Sequence, residues 1–301
     1  MLRPSLSRPS LPSLLGLPAL IGSLILLPAC GLLPQSSGPS DGLGGLAGLA
    51  SSTATPAPLL DNSAFTEVLE RFVDAEGLVD YRGLQQNPKA LQAYVDQLAA
   101  LPAASFASWS EAEQIAVLLN AYNALTLVAI IEHDPLKASI RDILGVWNLR
   151  RHTVAGQSMT LDHLEHGILR KDYNEPRIHA ALVCAAVSCP PLRREPFSGE
   201  QLDAQLDNQV DLWLGGPHGL QIDRATNTVA ISKIFEWFAE DWDRTYKTDK
   251  VFGGNPKQSA VLNFISQHSP PADRLYLNDA TYRFTYLDYD WALNSQRKPD
   301  G

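Results

Sequence analysis

The apolar run IAVLLNAYNALTLVAII, residues 115–131, constrains the fold of this chain more than any other feature. Ser110 lies three residues before Glu113, the spacing of a helix capping box, and Pro135 follows the run, so the pattern predicts one long helix. A helix that is apolar on every face must be buried in a protein core or in a membrane. This run has 17 residues, with two asparagines near its middle. It falls short of the roughly 20 residues that span a bilayer. We therefore predict a central helix buried inside a globular domain.

Asn120 and Asn123 are three residues apart on this helix, so their amides project from neighbouring points on one face. A buried amide needs hydrogen-bond partners. Two interpretations are open: the amides tie the helix to adjacent backbone, or they line a polar cleft.

The first thirty residues read as an export signal, with a basic start, a short apolar segment and small residues at its end. The tetrapeptide Leu27-Pro28-Ala29-Cys30 resembles the bacterial lipobox, which implies cleavage before Cys30 and acylation of its thiol. The alternative is an ordinary cleaved signal peptide. Gly31 after the cysteine resembles the sorting pattern for the outer membrane. We expect a periplasm-facing protein that is held at the outer membrane by a lipid on Cys30.

The chain divides by composition into four predicted segments. Residues 30–58 are rich in Gly, Ser, Ala and Pro, a composition typical of a flexible tether because it cannot bury enough side chain to offset its ordering entropy. The predicted boundaries are a signal peptide at 1–29, the tether at 30–58, a globular domain at 59–294 and a C-terminal tail at 295–301.

The chain is acidic, with a formal net charge of −9 that becomes −11 once Arg3 and Arg8 are removed with the signal. Nucleic acids and anionic membrane surfaces reward basic patches. We therefore expect no nucleic-acid partner, and we expect the lipid to provide the membrane attachment.

The remaining patterns mix helices and strands without a regular βαβ alternation, which favours a single α+β domain in which the long helix packs on a small, mainly antiparallel sheet. Residues 160–170 are predicted to be a helix capped by Thr160. Predicted strands are 178–184, the hairpins within 152–159 and 220–235, and the closing segment 282–294.

Six motifs in this order resemble the family catalogued as domain of unknown function 547, over residues 112–294. They are LLNAYNALTL, SIRDIL, LDHLEHGILR, EPRIHAALVCAAVSCPPL, ISKIFEWFAEDW and YLDYDWALN. The last motif departs mildly from the pattern, with Ala292 where a serine or similar small residue is expected. The family that the chain resembles occurs in exported bacterial proteins and, joined to coiled-coil segments, in plants, and the resemblance brings no established activity.

The stretch IHAALVCAAVSCPPL, residues 178–192, suggests a thiol-dependent hydrolase or acyl transferase acting on envelope peptide material. In that hypothesis Cys189 is the nucleophile and His179 or His166 is the base. Glu165 orients the base, and an amide of Asn120 or Asn123 stabilises the oxyanion. On a regular strand His179 and Cys184 would point to opposite faces, which argues against Cys184 as the nucleophile.

Three alternatives stand beside the thiol enzyme. A disulfide between Cys184 and Cys189 suits an oxidising compartment and would accompany a non-catalytic binding or scaffolding domain. A metal-dependent hydrolase could use the His/Glu cluster, but the spacing matches no strong zinc pattern, so we predict no metal and no cofactor. An aromatic and acidic rim could bind glycan or peptide, or could simply be core aromatics beside a solvated edge. The cluster comprises His163, Glu165, His166 and His179, and the rim Trp237, Asp241, Trp242, Asp290 and Trp291.

Overall fold

The computed structural model describes residues 58–252, 256–279 and 281–296, which belong to one compact unit. The predicted signal peptide, the lipidation site at Cys30 and the tether up to residue 57 lie outside the described residues, as do residues 297–301 of the predicted tail. The helices are α1 Ser63–Phe72, α2 Tyr81–Gln86, α3 Lys89–Ala100, α4 Ala103–Ser108, α5 Glu111–Ile131, α6 Arg170–Asp172, α7 Ile178–Ala181, α8 Leu202–Gly215, α9 Lys233–Trp237, α10 Glu240–Tyr246, α11 Pro256–His268 and α12 Pro271–Asp279. A 3₁₀ turn covers Ile140–Asp142, and a π-helical segment, His163–Leu169, runs into α6. The strands are β1 His152–Val154, β2 Gln157–Met159, β3 Leu220–Asp223, β4 Thr228–Ile231 and β5 Arg283–Tyr286.

The predicted central helix is confirmed as α5, which the rest of the domain encloses. By length and hydropathy α5 could cross a membrane, but 94% of its most apolar window is buried inside the fold. Its first turn is capped as predicted, because Ser110 Oγ accepts the Glu113 N–H at 3.2 Å. The Glu113 carboxylate reaches across to the Gly199 N–H at 2.8 Å. The charged end of the helix is therefore also used to hold the chain that follows residue 192.

The α+β class is confirmed, with short strands arranged in two small sheets. β1 and β2 form an antiparallel hairpin, and the second sheet has the order β3-β4-β5, antiparallel between β3 and β4 and parallel between β4 and β5. The hairpin residues Val154 and Met159 share a core with α5, α1 and α3. The three-stranded sheet packs in a second core with α8 and α11 around stacked aromatic rings, including Trp213, Phe235 and Trp242.

The predicted strand at 178–184 is wrong, and the physical reason lies in α5. Residues 178–181 form the short helix α7, and an irregular segment follows, with Ala185 at φ +60° and an isolated bridge from Ala186 to Leu293. Asn123 accepts the Val183 N–H and donates to the Ala181 carbonyl, both at 3.0 Å. A side chain thus satisfies the backbone groups that a neighbouring strand would otherwise have to pair.

The predicted helix at 160–170 is confirmed in position, although most of it is π-helical. Thr160 Oγ1 accepts the His163 N–H at 3.1 Å, the cap that the sequence predicted. Leu164 and Leu169 are buried on its inner side. This helix places His166 and Arg170 beside Phe238 at the second core, and Glu165 beside Tyr122 in the first core.

Candidate functional site

The predicted disulfide between Cys184 and Cys189 is present, with the two Cα atoms 6.2 Å apart. The hydroxyl of Tyr289 lies 3.3 Å from each sulfur, and the Cys184 N–H donates to Cys189 Sγ at 3.1 Å. Cys189 is buried, whereas Cys184 is half-buried. A nucleophile at Cys189 therefore first requires reduction of this bond.

His179 is held by a carboxylate and by aromatic rings. Its Nε2 lies 2.7 Å from Asp241 Oδ2, and its ring stacks on Phe238 at 4.5 Å and on Trp242 at 5.1 Å. In the part of the chain that the structure describes, the hydrogen-bond partners of Cys189 Sγ are Cys184 and Tyr289, so no imidazole is paired with the sulfur. The predicted cysteine–histidine pair is not assembled here.

Asp241 joins His179 to Arg170. Arg170 Nε and Nη2 donate to the two oxygens of Asp241 at 2.6 and 3.1 Å. Burial by itself raises the pKa of the Asp241 carboxyl, but hydrogen bonds from His179 and Arg170 outweigh burial and lower that pKa to about 2. Asp241 is therefore an anion at neutral pH, and it links α10 to α7 through His179 and to α6 through Arg170. Sequence reasoning placed Asp241 on a rim and did not find its partner Arg170, because no local spacing links two residues 71 positions apart.

His166 and Glu165 are neighbours in sequence with different surroundings. Arg170 Nη1 lies 3.0 Å from His166 Nδ1, and since a guanidinium can only donate, that ring nitrogen accepts. The nearest contact between His166 and Glu165 is 3.9 Å. Glu165 accepts the hydroxyl of Tyr122 on α5, and burial, together with the negative charge of Glu165, raises the pKa of Tyr122 well above its ordinary value. The Glu165 carboxylate is therefore the hydrogen-bond acceptor of Tyr122, and it does not hydrogen-bond to His166.

Asn120 and Asn123 both tie α5 to adjacent backbone, the first of the two open interpretations. The Asn120 amide donates to the Phe197 carbonyl at 2.8 Å and accepts the Phe197 N–H at 2.9 Å. Asn123 makes the same paired contact with Ala181 and Val183. Each amide is buried and has both its donor and its acceptor engaged by main chain.

A groove of about 920 Å³ lies beside the disulfide, away from His179. Cys189 lines it, whereas His179, His166, Glu165, Asn120 and Asn123 do not. The imidazole on its wall is His218, whose Nδ1 is 3.4 Å from Ser188 Oγ. The sequence offered no signal for His218, because it lies in a turn after α8, 29 residues from Cys189.

The groove lining carries charges of both signs. The acidic wall is formed by Glu70, Asp74 and Glu76, at the end of α1 and just after it. Arg193 and Arg194 also line the groove; the Arg193 guanidinium is paired with Glu195, another lining residue, and Arg194 Nη2 donates to the Glu70 carbonyl at 3.2 Å. Between them lie apolar residues, which are Leu78, Val187, Pro190, Pro191, Leu192 and Leu212.

Gly77 brings the acidic wall against the groove floor. It has φ +78°, and a Cβ at this position would fall 2.6 Å from Pro191 Cβ, so only glycine permits this approach. Gly77 therefore determines how closely the acidic wall approaches Pro191.

The predicted aromatic and acidic rim is split between core and surface. Trp242 is fully buried, whereas Trp237 is 43% exposed and stacks on Trp291 at 5.8 Å. Among the described residues, no group of three or more His, Cys, Asp or Glu side chains is arranged to hold a metal ion.

Comparison with known proteins yields a family and no close relative. No curated protein and no solved structure matches the chain. The model of the family described as "Protein of unknown function, DUF547" matches residues 106–214, which include α5, the π-helical segment and both disulfide cysteines. The resemblance that the motifs indicated is thereby confirmed over residues 106–214, where this chain is similar to the DUF547 proteins. The last two of the six motifs lie outside the matched residues.

Proposed function

We propose that the protein is an exported, lipid-anchored envelope protein whose domain binds envelope peptide in the groove beside the Cys184–Cys189 disulfide. The observation that carries the proposal is the groove itself, which is large enough for a short peptide and is lined in part by Cys189 of the disulfide. The disulfide supports export, because such bonds persist mainly in oxidising compartments. The lipobox-like tetrapeptide ending at Cys30 supports the anchor.

The charges of the groove favour a ligand with both signs. The acids and arginines that line the groove suit a peptide that carries an amine and carboxylates, and the apolar residues between them suit small aliphatic side chains. The stem peptides of peptidoglycan have this chemistry, with alanine methyl groups between charged residues. An uncharged glycan would make no use of the charges in the groove.

We expect Arg194→Ala to weaken binding of a peptidoglycan stem tetrapeptide about 10-fold, because the exposed guanidinium can form a charge-assisted hydrogen bond with a ligand carboxylate. Titration calorimetry on the unlipidated chain from Gly31 onward measures the dissociation constant. Arg283→Ala, an exposed arginine on β5 outside the groove, is the matched control and should bind like the wild type. Absence of binding by the wild type, or equal loss in both variants, would contradict the proposal.

A second candidate is the thiol-dependent hydrolase or acyl transferase, favoured by the position of Cys189 on the groove wall. It requires the disulfide to be reduced, and the base nearest in the groove would be His218 rather than His179 or His166.

The two candidates are separated by counting thiols. The chain from Gly31 onward has Cys184 and Cys189 as its cysteines, and we expect no free thiol after denaturation without reductant. Replacing both cysteines by alanine should lower the free energy of unfolding by about 2 kcal/mol, a modest effect because the closed loop is short, and should leave peptide binding intact. Two reactive thiols in freshly purified periplasmic protein would favour the enzyme instead.

A further inference from the structure

The loop from Ile140 to Arg151, here called the leucine loop, has two solvent-exposed leucine side chains. Leu144 is 96% exposed and Leu149 is 69% exposed. They belong to the same tight turn, because Leu149 packs against Gly145, the residue next to Leu144; an added Cβ at Gly145 would fall 2.7 Å from Leu149 Cβ. Single exposed leucines are ordinary, but two adjacent ones on a projecting turn mark a contact surface.

Cations surround these leucines in a chain that is acidic elsewhere. Residues 137–151 contain four cations and one acid, although the whole chain has a net charge of −9. The acid, Asp142, accepts the Ser139 N–H at 3.1 Å. Arg141 and Arg151 are exposed, while Arg150 pairs with Glu132.

An aromatic strip continues from the loop. Trp147 meets Trp291 edge to face at 6.2 Å, Trp291 stacks on the exposed Trp237, and the Arg141 guanidinium lies 5.2 Å above the Trp291 ring. Leucine tips, tryptophans and arginines in one region form the combination that sits at the boundary between lipid headgroups and acyl chains.

We propose that the leucine loop rests on the bilayer surface, inserting Leu144 and Leu149 among the acyl chains while its arginines contact lipid phosphates. This inference rests on the proposed lipid anchoring and names the face of the domain that meets the membrane. The net negative charge does not prevent it, because at physiological salt only charges within about 8 Å of the surface act strongly on the bilayer. A second copy of the chain is a poorer occupant, since two leucines cannot supply the roughly 800 Å² per partner that a stable interface buries.

Vesicle flotation tests the proposal with the unlipidated chain from Gly31 onward, which has no acyl chain to hold it. The wild type should float with vesicles of phosphatidylethanolamine that contain one quarter phosphatidylglycerol. A smaller fraction of the protein should float with vesicles of phosphatidylcholine alone. Leu144→Glu combined with Leu149→Glu should reduce the partition coefficient at least 10-fold, because both anchors become charged. Leu275→Glu, a 74% exposed leucine on α12, is the matched control and should float like the wild type.

The proposal is overturned if the wild type stays at the bottom of the gradient, or if the double variant floats as well as the Leu275→Glu control. It is also overturned if sedimentation without vesicles shows a wild-type dimer that the double variant abolishes, since the leucines would then join two copies. None of these outcomes affects peptide binding or acylation of Cys30, which are measured separately by calorimetry and by the mass of the exported protein.

Discussion

We expect Asp241→Asn to lower the free energy of unfolding by about 3 kcal/mol at neutral pH, because the change removes the anion that pairs with Arg170 and hydrogen-bonds to His179. The Asp241 side chain is 16% exposed, and it accepts from His179 and from both Arg170 nitrogens that face it. Asparagine keeps one oxygen that accepts a hydrogen bond. Its amide nitrogen can only donate, however, and it would face the N–H groups of Arg170 and His179, which also donate. The other carboxylate that Arg170 contacts, Glu240, is 81% exposed and therefore well screened, so it cannot replace Asp241.

The same carboxylate predicts an acid-sensitive component of stability. The pKa of Asp241 is lowered to about 2 in the folded protein, against about 3.9 in an unfolded chain. A depressed folded pKa means that the unfolded state binds protons more readily. The contribution is therefore complete above about pH 4 and is lost as the pH falls through 2, to the extent of about 2 kcal/mol. Asp241→Asn should lack this component, so its difference from the wild type should shrink as the pH falls from 4 to 2.

Urea unfolding followed by circular dichroism at several pH values measures both effects. Asp243→Asn removes the same charge from an exposed position on the same helix, α10, and should change stability by less than about 0.5 kcal/mol. Equal stability of the two variants, or a difference from wild type that does not vary with pH, would contradict the assignment of Asp241 as the buried anion.

The second large effect is expected at Asn123, where Asn123→Leu should lower the free energy of unfolding by about 3 kcal/mol. Leucine has a similar volume, so the change opens little cavity. It leaves the Ala181 carbonyl and the Val183 N–H, both in buried residues, without the partners that Asn123 provides. A buried polar group that is left without a hydrogen-bond partner lowers the free energy of unfolding by more than the net contribution of the hydrogen bond itself.

Thr126→Val on the same face of α5 is the matched control. Its hydroxyl donates to the Tyr122 carbonyl at 2.8 Å, and valine keeps the shape while stranding no N–H. We expect this variant to lose less than about 1 kcal/mol. If chemical denaturation finds Asn123→Leu no less stable than Thr126→Val, the backbone tie is not the role of this asparagine.

The long helix and the fold class could be predicted because they depend on local patterns. An apolar run of this length has few options, and its capping serine acts within one turn. The hairpins at β1–β2 and β3–β4 also carry their turn signals locally. Pairing of Cys184 with Cys189 was one of several open hypotheses, because five residues of extended chain would separate their Cα atoms by about 16 Å, whereas the irregular segment observed here brings them to 6.2 Å.

The failures come from contacts between distant segments. Residues 178–184 have a strand-like composition, yet Asn123, about 60 positions away, satisfies the backbone there and no strand forms. The grouping of His179 with Cys189 failed for a related reason, since α10 supplies Asp241 to the imidazole and Tyr289 meets the sulfurs.

By itself, the sequence determined the buried helix, the α+β class, the acidic charge and the similarity to the DUF547 proteins, because these follow from periodicity, composition and motif order. Only the tertiary structure decided which side chains meet: the Arg170–Asp241–His179 link, the asparagine ties, the position of His218 on the groove wall and the exposure of Leu144. Such contacts join residues dozens of positions apart, and their partners depend on how helices pack, which no local pattern encodes.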